Sequence, residues 1–123
     1  MGPVKALFDT NILIDYLNGV VAARDEIGRY QRPLISLINW MEVLTGTPAE
    51  HAQPVRAFLR RFECVGIDAE IAERAVNLRQ AQRLKLPDAI IRATAMERSA
   101  LLVTRNTKDF LADEPGIRIP YKL

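Results

Sequence analysis

Short apolar runs alternate along this chain with longer segments in which apolar residues recur at helical spacing, and this alternation limits the possible folds. Strands separated by helices predict an α/β fold: a central, mostly parallel sheet of four to five strands, flanked by helices. Proline cannot donate a sheet hydrogen bond, so Pro120 limits the last strand to an edge position. The predicted strands cover residues 4–8, 33–38, 63–67, 101–104 and 117–119.

Capping residues and breakers mark the helices between these strands. Asp9 or Thr10 can cap the first helix, which Asn18-Gly19 ends. Because proline is tolerated only in a first helical turn, Pro54 places a helix start near residue 53 and makes 47–51 a turn or a separate short helix. Further helices are predicted over 20–30, 39–44 and 53–62, after the cap Asp68, and from Leu86-Pro87-Asp88 onward.

The length and composition suit one folded domain over residues 1–123. The hydrophobic fraction is 49% and the charged fraction 26%, which is ordinary for a globular chain. No apolar run approaches the roughly 20 residues that cross a bilayer, and no secretory signal is recognisable at the start. The single cysteine, Cys64, is expected to be buried and cannot form an intrachain disulfide, which favours a cytoplasmic location.

Arginine dominates the positive charge of the chain. It supplies 13 of the 17 positive residues, although the formal net charge is only +2. Its planar fork donates two hydrogen bonds at once and therefore suits phosphate groups. Two interpretations stay open, because a modest net charge is weak evidence for nucleic acid: solvated helix faces, or a track that binds RNA.

Four separate segments place an acid or an amide beyond an apolar run. Asp9 ends the first strand, Glu42 follows the second, Asp88 starts a helix, and residues 104–109 follow the fourth strand. Ligand sites in parallel sheets lie outside the carboxyl ends of the strands, so these side chains are expected to face one cleft. Gathered carboxylates repel one another, and a hard divalent ion such as Mg²⁺ is the usual reason for such a cluster.

Each acid also has a purely structural interpretation. Asp9 and Asp109 can cap helices or turns, and Asp88 can be a first-turn acid that the helix dipole favours. Glu42 fits that interpretation less well, because it lies between Met41 and Val43 in an apolar stretch. The order of the four segments is more specific than any one acid.

This ordered set resembles the PIN-domain family, and most closely the VapC-type ribonuclease toxins of bacterial type II toxin–antitoxin pairs. The resemblance covers nearly the whole chain. It implies a central parallel sheet flanked by helices, acids that hold Mg²⁺ or Mn²⁺, and hydrolysis of RNA phosphodiester bonds by an activated water. The matching segments are Phe-Asp-Thr-Asn-Ile-Leu-Ile-Asp (8–15), Trp-Met-Glu-Val-Leu-Thr-Gly (40–46), Leu-Pro-Asp-Ala-Ile-Ile-Arg-Ala-Thr-Ala (86–95) and Leu-Val-Thr-Arg-Asn-Thr-Lys-Asp-Phe (102–110).

The resemblance also implies roles for individual residues. Asp9, Glu42 and Asp88 would be the catalytic acids and metal ligands, with Asp9 and Asp88 bound directly. Many members of the family have an aspartate where this chain carries Asn106, so Asn106 and Asp109 both remain candidates for the fourth place. Residues expected to orient ligands and water are Thr10, Asn11 and Thr104; those expected to position the RNA backbone are Arg92, Arg98 and Arg105.

The expected partners are RNA, a small cognate antitoxin protein and a second copy of the chain in a homodimer. DNA would be contacted only through the antitoxin. An apolar groove for the antitoxin is one interpretation of a set of apolar residues, and packing in the core is the other. That set is Ile12, Tyr16, Leu17, Val55, Phe58 and Leu59.

Two other functions compete with the ribonuclease. A catalytically weak PIN-like module that binds protein or RNA would explain the missing acid at Asn106. A receiver-like regulator would bind Mg²⁺ in an acidic pocket without cleaving RNA, but it needs a lysine after the fourth strand, and Lys108 lies in a predicted loop.

Overall fold

Five short strands form one sheet in the computed structural model, which describes residues 4–123. Residues 1–3 of the predicted domain lie outside the described part of the chain. The strand order is β3-β2-β1-β4-β5 and each neighbouring pair is parallel, which confirms the predicted sheet. The strands are β1 (Ala6–Phe8), β2 (Leu34–Ser36), β3 (Glu63–Val65), β4 (Leu101–Val103) and β5 (Ile117–Arg118).

The helices begin and end close to the residues that the sequence marks. Asp9 caps the first helix, Asp68 caps the fifth, and the first helix ends before Asn18 and Gly19, as predicted. Pro54 lies in a first helical turn, after a separate short 3₁₀ helix (Ala49–His51). The helices are α1 (Thr10–Leu17), α2 (Val21–Gly28), α3 (Leu37–Thr45), α4 (Ala52–Leu59), α5 (Ala69–Gln82) and α6 (Leu86–Glu97).

The second strand is shorter than predicted, because a reciprocal pair of hydrogen bonds starts α3 early. The Ser36 hydroxyl accepts from the Ile38 N–H, and the Asn39 Oδ1 accepts from the Ser36 N–H. The expected burial of Cys64 is wrong. It lies on β3 at the edge of the sheet, and it is exposed.

Side chains on the two faces of the sheet belong to two separate hydrophobic clusters. Leu7 of β1 packs with residues of α5 and α6, whereas Phe8 packs with residues of α1 and α4. This alternation follows from the two-residue period of a strand. Helices therefore cover both faces, and the carboxyl ends of the strands are left to form the site.

The second cluster decides between the two interpretations of the apolar set. Ile12, Phe58 and Leu59 are buried in the core, so a groove built from these three residues is wrong, whereas Val55 packs in the same cluster and also lines a surface groove. Leu17 is 37% exposed. The core takes these residues because α1 and α4 pack on the same face of the sheet as Phe8.

No helix within residues 4–123 is long and apolar enough to span a bilayer.

Gly116, just before β5, is expected to resist substitution. Its φ is +85°, and a Cβ there would lie 3.3 Å from Nη1 of Arg92, whose guanidinium is held by Pro115. Gly116→Ala should lower the free energy of unfolding by about 1–2 kcal/mol, as measured by urea denaturation. Gly28→Ala is the matched control, because Gly28 is the last residue of α2 and the added Cβ would have no atom within 4 Å. This substitution should raise the free energy of unfolding slightly. Equal effects of the two substitutions would contradict this account.

Candidate active site

Asp9 stands where the two central strands end. Its N–H donates to the carbonyl of Val103 at 2.9 Å, and its side chain is only 5% exposed. Oδ1 accepts from the Thr10 N–H at 2.8 Å, while Oδ2 accepts from the Thr104 hydroxyl at 2.7 Å and from Nδ2 of Asn11 at 3.3 Å. The carboxylate is therefore fixed by groups from both α1 and the segment after β4.

The electrostatic environment of Asp9 disfavours its negative charge. Burial raises the pKa of Asp9 from 3.8 to about 6, against the lowering effect of the hydrogen bonds from Thr104 and Thr10. The negative charges of Asp88 and Glu42 raise this pKa further. The structure thus brings together the three acids that the sequence singles out.

Asp88 and Asp109 extend the same group of charges. Burial raises the pKa of Asp88, and the charges of Asp109 and Glu42 raise it more, while Lys85 opposes them. Asp88 lies in the first turn of α6, and Asp109 lies in the segment after β4. We call Asp9, Glu42, Asp88 and Asp109 the acidic cleft.

Asn106 points its amide group at Asp109. Its Nδ2 donates to Oδ2 of Asp109 at 2.9 Å, and its Oδ1 accepts from the Asp109 N–H at 3.1 Å. Both polar atoms of the Asn106 side chain are used in this way. These two hydrogen bonds join Asn106 to Asp109, the charged member of the pair.

Two linked hydrogen bonds, which pass through the Thr10 hydroxyl, orient Glu42. The Thr10 hydroxyl donates to Oε1 of Glu42 at 2.6 Å, and Nδ2 of Asn39 donates to the Thr10 hydroxyl at 3.0 Å. Asn39 is fully buried. The pattern of acids predicts no role for Asn39, although an amide among apolar residues three positions before Glu42 would share its helix face and could have been recognised.

Thr104 and Asn11 connect the two sides of the cleft. The Thr104 hydroxyl, which donates to Asp9, accepts from Nδ2 of Asn11 at 3.3 Å and from the Asn106 N–H at 3.0 Å. Oδ1 of Asn11 accepts from the Arg105 N–H at 3.1 Å. Thr10, Asn11 and Thr104 therefore lie beside Asp9. Thr10 also orients Glu42, and Asn11 also binds the backbone of Arg105.

The predicted RNA-contacting arginines do not gather at the cleft. Arg92 is buried and donates to the carbonyl of Pro115 at 2.9 Å, and Arg98 pairs with Glu63 at 3.0 Å. These partners lie at the amino ends of β5 and β3, so the placement of Arg92 and Arg98 near Asp9 is wrong. The reason is that α6 starts at the carboxyl edge of the sheet and runs back to the opposite edge.

Arg105 is adjacent to the cleft, but its side chain is turned away. Nε and Nη2 both donate to the carboxylate of Asp15 on α1. Asp15 was given no role by the sequence pattern, although an acid three residues after Ile12 on the apolar face of α1 is unusual. Its burial, with 5% of the residue exposed, is explained by this pair.

The donor set of the cleft fits a hard divalent cation, since every candidate ligand is a carboxylate oxygen. In the described residues 4–123, no three acidic, histidine or cysteine side chains stand close enough together to hold an ion as they are placed. Carboxylates that repel one another are expected to stand apart without a cation.

Comparison with known families gives a match to the PIN domain over residues 6–112. Among curated proteins, ribonuclease VapC10 of Mycobacterium tuberculosis is 34% identical over 112 residues, which cover 85% of this chain and 84% of that protein.

Solved structures of toxin–antitoxin complexes contain chains similar to this one. A toxin–antitoxin complex from Klebsiella pneumoniae contains a chain with 49% identity and a TM-score of 0.90, covering 96% of this chain and 99% of that one. DNA-bound VapBC from Salmonella typhimurium contains a chain with 26% identity and a TM-score of 0.79, covering 94% and 96%.

Removing the charge of Asp9 should stabilise the metal-free protein. A folded-state pKa of about 6 against 3.8 means that ionised Asp9 costs about 3 kcal/mol above pH 6; this cost shrinks as pH falls through 6 and vanishes below 3.8. In urea denaturation with a chelator, Asp9→Asn should raise the free energy of unfolding by about 2 kcal/mol at pH 8, because asparagine also loses part of the hydrogen bonding. The gain should be about 1 kcal/mol smaller at pH 5.

Asp15→Asn is the matched control, because Asp15 is equally buried but paired with Arg105. It should lower the free energy of unfolding by about 1–2 kcal/mol at both pH values, since it leaves the half-buried guanidinium of Arg105 without its charged partner. A loss of stability in Asp9→Asn at pH 8, or a gain independent of pH, would contradict the assignment.

Proposed function

Because the chain belongs to the PIN-domain family, we propose that it is a metal-dependent endoribonuclease and the toxin of a toxin–antitoxin pair. The observation that carries this proposal is the buried Asp9 carboxylate at the ends of β1 and β4, with Asp88 and Glu42 raising its pKa. Such a cluster is unfavourable until a cation is bound. The names of ribonuclease VapC10 and of the toxin–antitoxin complexes support the choice of substrate and system.

Asp9 and Asp88 would hold Mg²⁺ or Mn²⁺ directly, and Glu42 would complete the site. When bound, the ion supplies two effects: it lowers the pKa of the attacking water and offsets the charge that develops on the phosphate. Asp109 adds negative charge beside Asp88 and is held by Asn106. This assignment makes Asn106 a positioning residue and Asp109 the fourth acid.

The remaining chemistry belongs to side chains of this chain. Oε1 of Glu42 accepts from Thr10, which leaves Oε2 to take a proton from the attacking water. Thr104 and Asn11 donate hydrogen bonds to Oδ2 of Asp9 and thereby fix the orientation of its carboxylate. In-line attack then breaks the bond between phosphorus and O3′, and it leaves a 5′-phosphate and a 3′-hydroxyl.

The antitoxin would bind a groove beside the acidic cleft. This groove has a volume of about 500 Å³ and is lined by Ile14, Leu17, Val43 and Pro54, with Glu42 at its border. Ile14 is 41% exposed, although its side chain is apolar. An apolar antitoxin helix or strand fits this groove, and a basic residue on it would reach Glu42. Leu17 and Val55 of the predicted set line this groove, whereas Ile12, Phe58 and Leu59 are buried in the core.

The proposal also concerns a second copy of the chain and DNA. We expect two copies of the chain to pair within the complex, and the antitoxin to make the contacts with DNA. DNA-bound VapBC from Salmonella typhimurium is an example of such a complex with DNA. An RNA substrate and a single unpaired cysteine favour action in the cytoplasm.

RNA cleavage should depend on both metal and the two central aspartates. With structured RNAs and Mg²⁺ or Mn²⁺, Asp9→Asn and Asp88→Asn should each lower the cleavage rate at least about 100-fold, because each removes a charged ligand. A chelator should abolish cleavage by the unsubstituted protein. Gel analysis of 5′-labelled RNA measures both effects.

Asp25→Asn is the matched control: Asp25 is an exposed aspartate on α2, beside Arg24. Its cleavage rate should stay within about twofold of the unsubstituted protein, as expected for a solvated surface charge. Failure to cut any RNA with either metal, while antitoxin binding is intact, would reject the enzyme and favour the binding module.

A charge placed in the groove should weaken the antitoxin complex. Ile14→Asp should raise the Kd at least about tenfold, because an apolar contact is replaced by a desolvated carboxylate. Val76→Asp is the control, since Val76 is 48% exposed on α5, away from the groove. Calorimetric titration with the cognate antitoxin measures both Kd values; equal weakening by the two substitutions would place the antitoxin elsewhere.

A further inference from the structure

A buried carboxylate on α1 holds the segment after β4 in place. Asp15 accepts from Nη2 of Arg105 at 3.0 Å and from Nε of the same side chain, so the guanidinium is bound through two atoms. The hydroxyl of Tyr121 donates to Oδ2 of Asp15 at 2.8 Å. We call these three residues the Asp15 cluster. Bidentate pairs of this kind fix direction as well as distance.

The Asp15 cluster is one residue away from the hydrogen bonds that hold Asp9. Arg105 directly follows Thr104, and its N–H donates to Oδ1 of Asn11 at 3.1 Å. Arg105 is therefore attached to α1 at two points: its side chain contacts Asp15 and its backbone contacts Asn11. Asp15 lies about one turn beyond Asn11 on the same helix.

One of the two hydrogen bonds to Oδ2 of Asp9 depends on this register. It comes from the Thr104 hydroxyl, which is carried by the segment after β4, whereas the other comes from Asn11 within the start of α1 that Asp9 caps. Asn11 also donates to the Thr104 hydroxyl. A shift of the segment relative to α1 would break the Thr104–Asp9 and Asn11–Thr104 contacts together, because both join the segment after β4 to the start of α1.

We propose that Asp15, Arg105 and Tyr121 are positioning residues, which set the direction of the Asp9 carboxylate by fastening the segment after β4 to α1. This inference rests on the proposed function, and it replaces an RNA contact with a structural task for the Arg105 side chain. Its consequence is that loss of the cluster lowers turnover and metal affinity, while RNA binding stays nearly the same.

The chain contains a second cluster of the same chemistry, which serves as a control. Glu26 on α2 accepts from Arg118 through two atoms, at 2.6 and 2.9 Å, and from the Tyr30 hydroxyl at 3.1 Å. This Glu26 cluster joins α2 to β5. It connects toward the cleft through the backbone carbonyl of Arg118, which accepts from the Thr104 N–H at 3.0 Å, and through the Tyr30 ring, which packs edge-on against Phe8 with ring centroids 5.7 Å apart. Arg118→Lys keeps the backbone bond, and Tyr30→Phe keeps the ring.

The experiment compares two conservative substitutions in each cluster. Arg105→Lys keeps the charge but loses the planar fork, and Tyr121→Phe keeps the ring but loses one hydrogen bond. Both should lower kcat for RNA cleavage about tenfold or more, raise the Mg²⁺ concentration for half-maximal rate, and leave KM within about twofold. Arg118→Lys and Tyr30→Phe should lower the Tm to a similar degree and change neither kcat nor the Mg²⁺ requirement.

A second readout does not need activity. Amide hydrogen exchange should become at least about tenfold faster at residues 105 and 106 in Arg105→Lys, because their N–H groups donate to Asn11 and Thr104. Exchange at these two positions should be unchanged in Arg118→Lys. Tyr121→Phe, the milder change, gives the same test if Arg105→Lys does not fold.

The results separate this inference from the proposed function. Unchanged exchange in the Asp15 cluster variants, or an equal loss of kcat in both clusters, would overturn the positioning role. Faster exchange in a protein whose unsubstituted form cuts no RNA would support the positioning role and reject the ribonuclease.

Discussion

The negative charge of Asp9, buried between the ends of β1 and β4, is the constraint on which the rest of the site depends. A carboxylate in that position is costly, and the charges of Asp88 and Glu42 make it more so. Hydrogen bonds from Thr10, Thr104 and Asn11 offset part of this cost without removing the charge. What remains is a group of gathered charges that the proposed cation would offset. Instability at an active site is expected where charges are gathered for function.

Around this charge the molecule is arranged in two layers of support. The nearer layer consists of amide and hydroxyl groups, among them Asn39, which acts on Glu42 through Thr10. The farther layer is the Asp15 cluster, which attaches the segment after β4 to α1, whereas the Glu26 cluster has the same chemistry but joins α2 to β5. Buried ion pairs of this kind are weak evidence for stability alone. The Asp15 cluster lies between α1 and the segment after β4, and this placement makes it relevant to the orientation of the Asp9 carboxylate.

The sequence predicted the residues beside a strand end better than those further along a helix. Asp9, Asn11 and Thr104 directly follow or adjoin buried strands, and parallel strands must end at a common edge. Arg92 and Arg98 were misplaced because distance from Asp88 along the chain says nothing about the direction of α6. The apolar residues of α1 and α4 were ambiguous for a related reason: helical spacing defines a face, but only packing decides what covers it. The mutual hydrogen bonds of Asn106 and Asp109 could not be predicted either, because they depend on the conformation of the loop after β4.

The sequence by itself determined the alternation of strands and helices, the edge of the sheet where the acids lie, and the family whose four segments occur in order. These features are local or depend on the simple rule that parallel strands share an edge. Only the tertiary structure decided that Asp15 pairs with Arg105 and that Asn39 supports Glu42. Such contacts join residues as much as 90 positions apart, and they depend on how α1 and α3 pack against the sheet. The alternation of apolar runs and helical segments therefore determines at which edge of the sheet the acids lie, whereas packing determines which side chains hold each charge.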